Sequence, residues 1–256
     1  MIKVENIYKN FGKKRVLCGV NLEVCSGQTV VIVGSSGVGK SILLKTLVGL
    51  IKPDSGSVTI DNVDITKCAP SDLQKIQKKI GYVFQEAALF DSLNIFENVA
   101  FGLRTLTNFD EQGIKNRVAK CLAMVGLKNV EHLKPANLSG GMKKRVAIAR
   151  TISYKPNYIL YDEPTTGLDP IMSDIISDLI ISLKKGLNVV SSIVVTHDMN
   201  SAYKIADKIM MIYEGKIIFS GTPEEVKSTD NEYVQQFVKG SKYGPIQQTD
   251  KIFEME

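Results

Sequence analysis

Residues Gly34 to Ser41 read Gly-Ser-Ser-Gly-Val-Gly-Lys-Ser, the pattern G-x-x-x-x-G-K-[ST], and their flanks leave few folds open. Thr29 to Val33, just before, is a β-branched apolar run of the kind that forms a buried parallel strand. Lys40 to Leu50, just after, has helical spacing with Leu43, Leu44 and Leu47 turned inward. Strand, glycine loop and helix in that order make a phosphate-binding loop; a chance glycine turn would match the pattern without the flanks. Gly34, Gly37 and Gly39 let the backbone curl so that successive N–H groups, with Ser35, Ser36 and Val38 between them, face one anion at a helix N-terminus. Lys40 is expected to reach the β- and γ-phosphates of a nucleotide, Ser41 to ligate Mg²⁺, and Ile42 to complete the nucleotide-binding set.

A chain of 256 residues holds one large domain, or one domain with an inserted lobe, and buries a core. With 44% hydrophobic and 23% charged residues it reads as globular, and no repeat period is visible. The net charge of +5 is mild. Nucleic-acid binders carry a basic stripe with aromatics interleaved, whereas the runs Lys13 to Arg15 and Lys143 to Arg145 are short and separate. They read as solvated faces, and no nucleic-acid partner is expected. Cys18, Cys25, Cys68 and Cys121 form no Cys-x-x-Cys pair, and with two histidines in the chain a metal site of that type is disfavoured. Reduced, buried cysteines in a cytosolic protein are the expectation. No apolar run approaches the roughly 18 residues of a membrane span, and the opening Met-Ile-Lys-Val-Glu lacks a signal-peptide core. If the protein serves a membrane, another chain does the spanning.

Along the chain, Ile2 to Ile7 and Leu17 to Val24 alternate apolar and polar around Phe11-Gly12 and a basic turn, the pattern of an antiparallel sheet edge. Phe11 and Tyr8 are aromatics near that turn, either of which can stack an adenine or simply pack. Ser57 to Ile60 is a strand, Ser71 to Lys79 a polar helix, and Ile80 to Phe84 a buried strand ending in Gln85. From Glu86 to about Lys155 the pattern is helical. Ile114, Val118, Cys121, Leu122 and Val125 form one face of a helix in an inserted lobe, with Lys115, Arg117 and Lys120 outside. Ser139-Gly140-Gly141 opens a further helix over Lys143 to Ile152, with a good N-cap and bare N–H groups for an anion. In isolation such a triplet is usually just a loop.

Tyr158 to Tyr161 is a strand carrying Asp162 and Glu163 at its C-terminal end. In a phosphate-loop protein that placement favours a Mg²⁺ partner and a water-polarising carboxylate over a turn cap. Ile171, Ile175, Leu179 and Leu183 align on the next helix, and Ser192 to Val195 is a strand followed by His197. Gln85, Asp162 and His197 thus each end a parallel strand, on the rim where α/β sheets bind ligands. His132, in a polar linker, reads as structural. Ile209 to Tyr213 and Lys216 to Phe219 make a hairpin, and the tail from Thr222 is helical to about Lys239.

In this order the pieces resemble the ATP-binding cassette ATPases over nearly the whole chain: phosphate loop, Q-loop Gln85, signature Leu138 to Met142, Walker B Tyr158 to Glu163, D-loop Gly167 to Asp169 and H-loop His197. The resemblance implies an α/β P-loop NTPase with a RecA-like parallel sheet core, an N-terminal antiparallel β subdomain and an inserted α-helical signature subdomain. By the same resemblance, residues 1–240 form the ATPase domain, with about 86–155 inserted, and 241–256 a C-terminal extension. It implies a head-to-tail homodimer hydrolysing ATP with Mg²⁺, each nucleotide lying between the loop of one subunit and Ser139, Gly140 and Gly141 of the other. Glu163 is then the general base and His197 a γ-phosphate contact, while Asp162, Ser41 and Gln85 organise the metal and water. Phe11 becomes the adenine-stacking aromatic, and Asp169 speaks across the interface.

The signature departs from the usual pattern, because Met142 stands where the family has Gln, removing one polar side chain from the trans half-site. That substitution, the run Ala88-Leu89-Phe90-Asp91-Ser92-Leu93, the following Glu97-Asn98-Val99 and the tail Tyr243-Gly244-Pro245-Ile246 resemble the cassettes of the Mla/MCE lipid transport systems. This implies a peripheral subunit on the cytoplasmic face of the inner membrane. Its partners would be an integral-membrane permease docked after Gln85 and an MCE-type lipid-binding protein beyond it. An importer ATPase for amino acids or another polar solute is the alternative.

Overall fold

Apolar–polar alternation at the N-terminus produces an antiparallel ribbon, β1 (Ile2–Phe11) against β2 (Lys14–Val24), joined at Gly12-Lys13. The protein is described here by a computed structural model covering residues 1–186 and 191–247; the final part of the expected extension, 248–256, lies outside the described residues. After the ribbon come β3 (Thr29–Val33) and α1 (Lys40–Leu47), then β4 (Ser55–Ile60), β5 (Val63–Asp64), α2 (Pro70–Gln77) and β6 (Ile80–Val83). The interval up to β7 (Tyr158–Asp162) is helical, with α3 (Ile95–Leu106), α4 (Glu111–Met124) and α5 (Gly140–Ser153). The chain continues through α6 (Pro170–Gly186), β8 (Ser191–Thr196), α7 (Met199–Ile205), β9 (Lys208–Tyr213) and β10 (Lys216–Gly221) to α8 (Pro223–Ser228) and α9 (Glu232–Lys239).

Two sheets result. The N-terminal strands and the β4–β5 hairpin form an antiparallel sheet in the order β2-β1-β4-β5. The second sheet has the order β10-β9-β3-β8-β7-β6 and is parallel from β9 to β6, with β10 antiparallel at one edge. This is the α/β cassette architecture: a parallel core, an antiparallel subdomain and a helical insertion. The parallel strands are buried on both faces, so successive residues feed two cores. Val31, Val33, Tyr161 and Val194 face the helices of the insertion and α6, while Val30, Ile32, Leu160 and Ile193 face α1 and the antiparallel sheet.

At its open edge β6 has no strand neighbour among the described residues; Ile80 O accepts at 3.1 Å from the hydroxyl of Tyr154, which caps α5, and Tyr82 O at 3.3 Å from the hydroxyl of Thr151 on α5. Ser139 caps α5 as expected, accepting from Met142 N, and the structure adds Asn94, accepting from Glu97 N, and Asp110, accepting from Gly113 N.

Several expectations need correction. The first helix stops at Leu47 rather than Leu50, because Gly49 (φ 71°) takes the left-handed turn that ends helices. On α6 the buried stripe is Ile176, Leu179, Ile180 and Leu183, whereas Ile171 is 75% exposed and Ile175 is exposed too. A shift of one residue in helical phase separates the two readings. Arg117 does not face outward but is buried, donating from Nε to Ser153 O and from Nη2 to Ile152 O, both at 2.7 Å. Of the cysteines, Cys121 alone is buried and Cys25 is exposed.

Candidate active site

The phosphate loop leaves β3 at Gly34 and enters α1 through Gly39. A side chain at Gly34 would meet Ile212 O at 2.5 Å, and one at Gly39 (φ 108°) would meet Val16 O at 2.9 Å. These two glycines are therefore demanded by space as well as by backbone conformation. Val38 packs toward the core on the antiparallel side. Lys40 is buried, and its Nζ donates to Gly34 O at 2.7 Å and Ser35 O at 3.1 Å while lying 3.2 Å from Glu163 Oε1.

The parallel sheet brings the other expected residues to the same rim. Ser41 Oγ donates to Asp162 Oδ1 at 2.6 Å, and the Tyr82 hydroxyl donates to Asp162 Oδ2 at 2.8 Å. Burial, together with the Asp162 charge, pushes the Tyr82 phenol far above its ordinary value, so it stays a donor. Glu163 sits in the left-handed region (φ 48°), with its N–H bonded to Val195 O at 3.0 Å. That conformation is costly for a non-glycine residue and persists where surrounding bonds hold it. Its Oε2 accepts from Thr166 Oγ1 at 3.0 Å and lies 2.8 Å from His197 Nδ1.

A cavity of about 420 Å³ joins several of these groups, with Asp162 and Tyr82 behind its wall rather than in the lining. Ser36, Gly37, Gly39, Lys40, Ser41 and Ile42 line one side. Gln85, Glu163 and His197 stand on another, and Phe11 forms part of the wall. Phe11 is 48% exposed, with Lys9 Nζ over its ring at 5.4 Å; Tyr8 does not line the cavity and instead covers Gly19. Ser139, Gly140, Gly141, Met142 and Asp169 are also absent from the lining. Within the chain, Ser139 Oγ caps α5 and Asp169 Oδ1 accepts from Met172 N at 2.9 Å at the start of α6.

Among the described residues no cluster of three His, Cys, Asp or Glu forms a metal cage. The Ser41–Asp162 oxygen pair suits a hard cation that takes one carboxylate from protein and completes its shell with phosphate oxygens and water. Mg²⁺ fits that donor set.

Three contributors escaped sequence reasoning. Tyr82 lies three residues before Gln85, and Thr166 three after Glu163; each is visible only once the strand ends are in register. The third is Lys144. The Lys143–Arg145 run was expected on a solvated face, but Lys144 is 7% exposed, and its Nζ donates to Gln85 O and, at 3.3 Å, to Glu163 O. Burial pulls its ammonium below the ordinary lysine value, opposed by the charges of Glu86, Glu163 and Asp162.

Comparison with known proteins agrees with this geometry. The ABC transporter family profile matches residues 17–166. The chloroplastic protein TRIGALACTOSYLDIACYLGLYCEROL 3 of Arabidopsis thaliana is 42% identical over 96% of this chain and 75% of its own length. The intermembrane phospholipid transport system ATP-binding protein MlaF of Haemophilus influenzae is 39% identical over 96% of this chain and 93% of its own. The sulfate/thiosulfate import ATP-binding protein CysA of Vibrio vulnificus is 40% identical over 94% of this chain and 69% of its own. Among solved structures, a dimeric ATP-binding cassette in a post-hydrolysis state bound to ADP and Pi superposes with a TM-score of 0.80 at 34% identity, covering 87% of this chain and 99% of that one. In sequence, fold and relatives alike, the chain belongs to the ABC transporter family as an ATPase subunit.

Proposed function

We propose that this ATPase drives movement of phospholipid-type molecules through a separate integral-membrane permease, as a head-to-tail pair of cassettes on the cytoplasmic membrane face, with an MCE-type lipid-binding protein beyond the permease. The observation that carries the chemistry is the placement of Glu163 between Lys40 and His197 at the mouth of the phosphate loop. Glu163, oriented by Thr166 and His197, takes the proton of a water aligned on the γ-phosphate. Lys40 moves its charge from Glu163 onto the phosphate oxygens. Asp162, Ser41 and Gln85 hold Mg²⁺, which neutralises phosphate charge when bound. Phe11 stacks the adenine, and Ser139-Gly140-Gly141 of the partner closes the far side.

The lipid assignment is supported by the MlaF likeness and by how two sequence marks meet. Asn98, from Glu97-Asn98-Val99, accepts from Phe90 N at 2.8 Å and donates to Phe90 O at 3.1 Å and Leu93 O at 3.2 Å. The Ala88–Leu93 run is thereby fixed with Phe90 exposed and its ring 4.9 Å from that of Phe101, a surface suited to a permease helix. The division into a 1–240 unit with a lobe at about 86–155 and a 241–256 extension is part of the same reading. The buried Gln236 amide supports it by clamping the start of the extension, bonding Ile246 N at 2.6 Å and Ile246 O at 3.1 Å.

The test is affinity purification from a gentle detergent extract of native membranes, identifying bound proteins and lipids. A permease with an MCE-domain protein and phospholipid is the expected result. A permease with a solute-binding protein overturns the lipid assignment and leaves the ATPase chemistry in place; recovery of no membrane protein overturns the transporter role.

A further inference from the structure

We infer that Lys144 is a positioning residue for ATP hydrolysis: its ammonium, shared by the main-chain carbonyls of Gln85 and Glu163, fixes the spacing of the two strand ends and ties both to the signature helix. The inference rests on the proposed roles of Gln85 and Glu163.

Gln85 follows β6 and Glu163 follows β7, which are parallel neighbours paired from Ile80–Tyr158 to Val83–Tyr161. Beyond the last pair the ladder no longer sets their separation. Lys144, reaching in from α5, bonds both peptides at that point. The Glu163 peptide is then held on both sides, N–H to Val195 O and C=O to Lys144, which keeps this left-handed residue aimed at His197. A second cation of α5 extends the grip. Arg150 donates to Ala87 O at 2.9 Å and Ala88 O at 2.6 Å, and those two residues stand at φ 60° and 47°. The segment that begins at Gln85 is thus bent into an unfavoured backbone and fastened to α5 at both ends.

Stability alone does not explain this lysine. Among the described residues Lys144 has no carboxylate within ion-pair distance, and a buried ammonium whose hydrogen bonds all go to carbonyls, with the charges of Glu86, Glu163 and Asp162 farther off, is a poor exchange for a methionine of similar length. What the ammonium supplies is geometry: one donor centre that two carbonyls must approach together. Since α5 begins at Gly140, the same rigid helix that would engage the partner's nucleotide sets the position of the carboxylate and amide acting on its own.

The experiment compares steady-state ATP hydrolysis, binding of a fluorescent ATP analogue and far-UV circular dichroism of the full chain in wild type, Lys144→Met, Lys144→Gln, Lys144→Arg and Glu163→Gln. Lys144→Met is expected to lower kcat about a hundredfold, as a misplacement of order 1 Å does, with analogue affinity within about twofold of wild type. Lys144→Arg, which keeps a cation with several donors for the two carbonyls, should recover kcat to within about tenfold of wild type. Lys144→Met turning over within about twofold of wild type overturns the inference. So does a parallel loss of kcat and nucleotide affinity that Arg does not rescue. If Lys144→Met loses its folded spectrum, Lys144→Gln is read in its place, and unfolding of both overturns the inference because a positioning role leaves the fold intact. Glu163→Gln separates the layers: if it hydrolyses ATP like wild type, the proposed base is wrong, whereas if it is inactive while Lys144→Met is active, only the Lys144 inference fails.

Discussion

The ammonium of Lys40 lies 3.2 Å from Glu163 Oε1, and both side chains are buried. The residue proposed to neutralise phosphate and the residue proposed to activate water are thus each other's ion partner. On that proposal, a γ-phosphate entering the loop would compete with Glu163 for that ammonium, and binding of the anion and release of the carboxylate would be one event.

Replacing Glu163 by Gln removes both the proposed base and the competitor. Turnover is expected to fall by about 10²–10⁴-fold, the range of a lost general base, while nucleotide binding holds or tightens. Steady-state hydrolysis and an equilibrium titration with labelled nucleotide check the two halves separately.

Gly140 offers a test of the dimer arrangement that is silent within one subunit. A Cβ there would find Leu168 Cδ2 at 3.8 Å, ordinary contact, so Gly140→Ala should melt at the wild-type temperature. If this helix start packs on a partner's nucleotide, the methyl group blocks close approach, and hydrolysis should drop by about tenfold or more. Equal turnover would speak against the trans site.

Removing the Tyr82 hydroxyl leaves Asp162 with one donor fewer. Tyr82→Phe is expected to raise the Mg²⁺ concentration needed for half-maximal hydrolysis by about tenfold, the lower end of what the loss of an outer partner to a metal ligand does. A Mg²⁺ titration at saturating ATP reads it out.

Arg117 donates to two carbonyls at the end of α5, and Arg117→Leu leaves Ser153 O without a donor among the described residues, while Ile152 O keeps the Lys155 N–H at 3.2 Å. The variant should lose about 2–3 kcal/mol in urea unfolding. Its midpoint should shift without a change in slope.

Burial raises the Cys121 thiol above its ordinary value, which lowers the thiolate fraction at any given pH, while Cys25 is exposed. Alkylation at pH 8 should therefore mark Cys25 early and Cys121 only on unfolding, as peptide mapping would record.

Much of this arrangement was legible because it depends on local pattern. The glycine loop, its flanking strand and helix, and the strands ending in Gln85, Asp162 and His197 each carry a signal within a few residues. The side chains that were misread owe their positions to distant partners. Lys144 and Arg117 are cations whose burial is decided by carbonyls on other elements: Gln85 and Glu163 for one, Ile152 and Ser153 for the other. Hydropathy assigns a cation to water and has no term for a carbonyl far away in sequence. Ile171 and Ile175 were misplaced for the converse reason, since their spacing matched a buried stripe whose true phase is set by what α6 packs against.

The edge of the parallel sheet has a mechanical consequence. Among the described residues, β6 is joined to β7 by a backbone ladder, while the hydrogen bonds on its other side come from the hydroxyls of Thr151 and Tyr154. A ladder breaks or holds as a unit, whereas two rotating hydroxyls follow their acceptors through small displacements. The seam between helix and sheet is therefore compliant along the strand, while the strands carrying the phosphate loop and Asp162, each laddered on both sides, are stiff. A push on the helical lobe is expected to shift β6 before it bends those two strands, and to reach Gln85 and Glu163 through the Lys144 link.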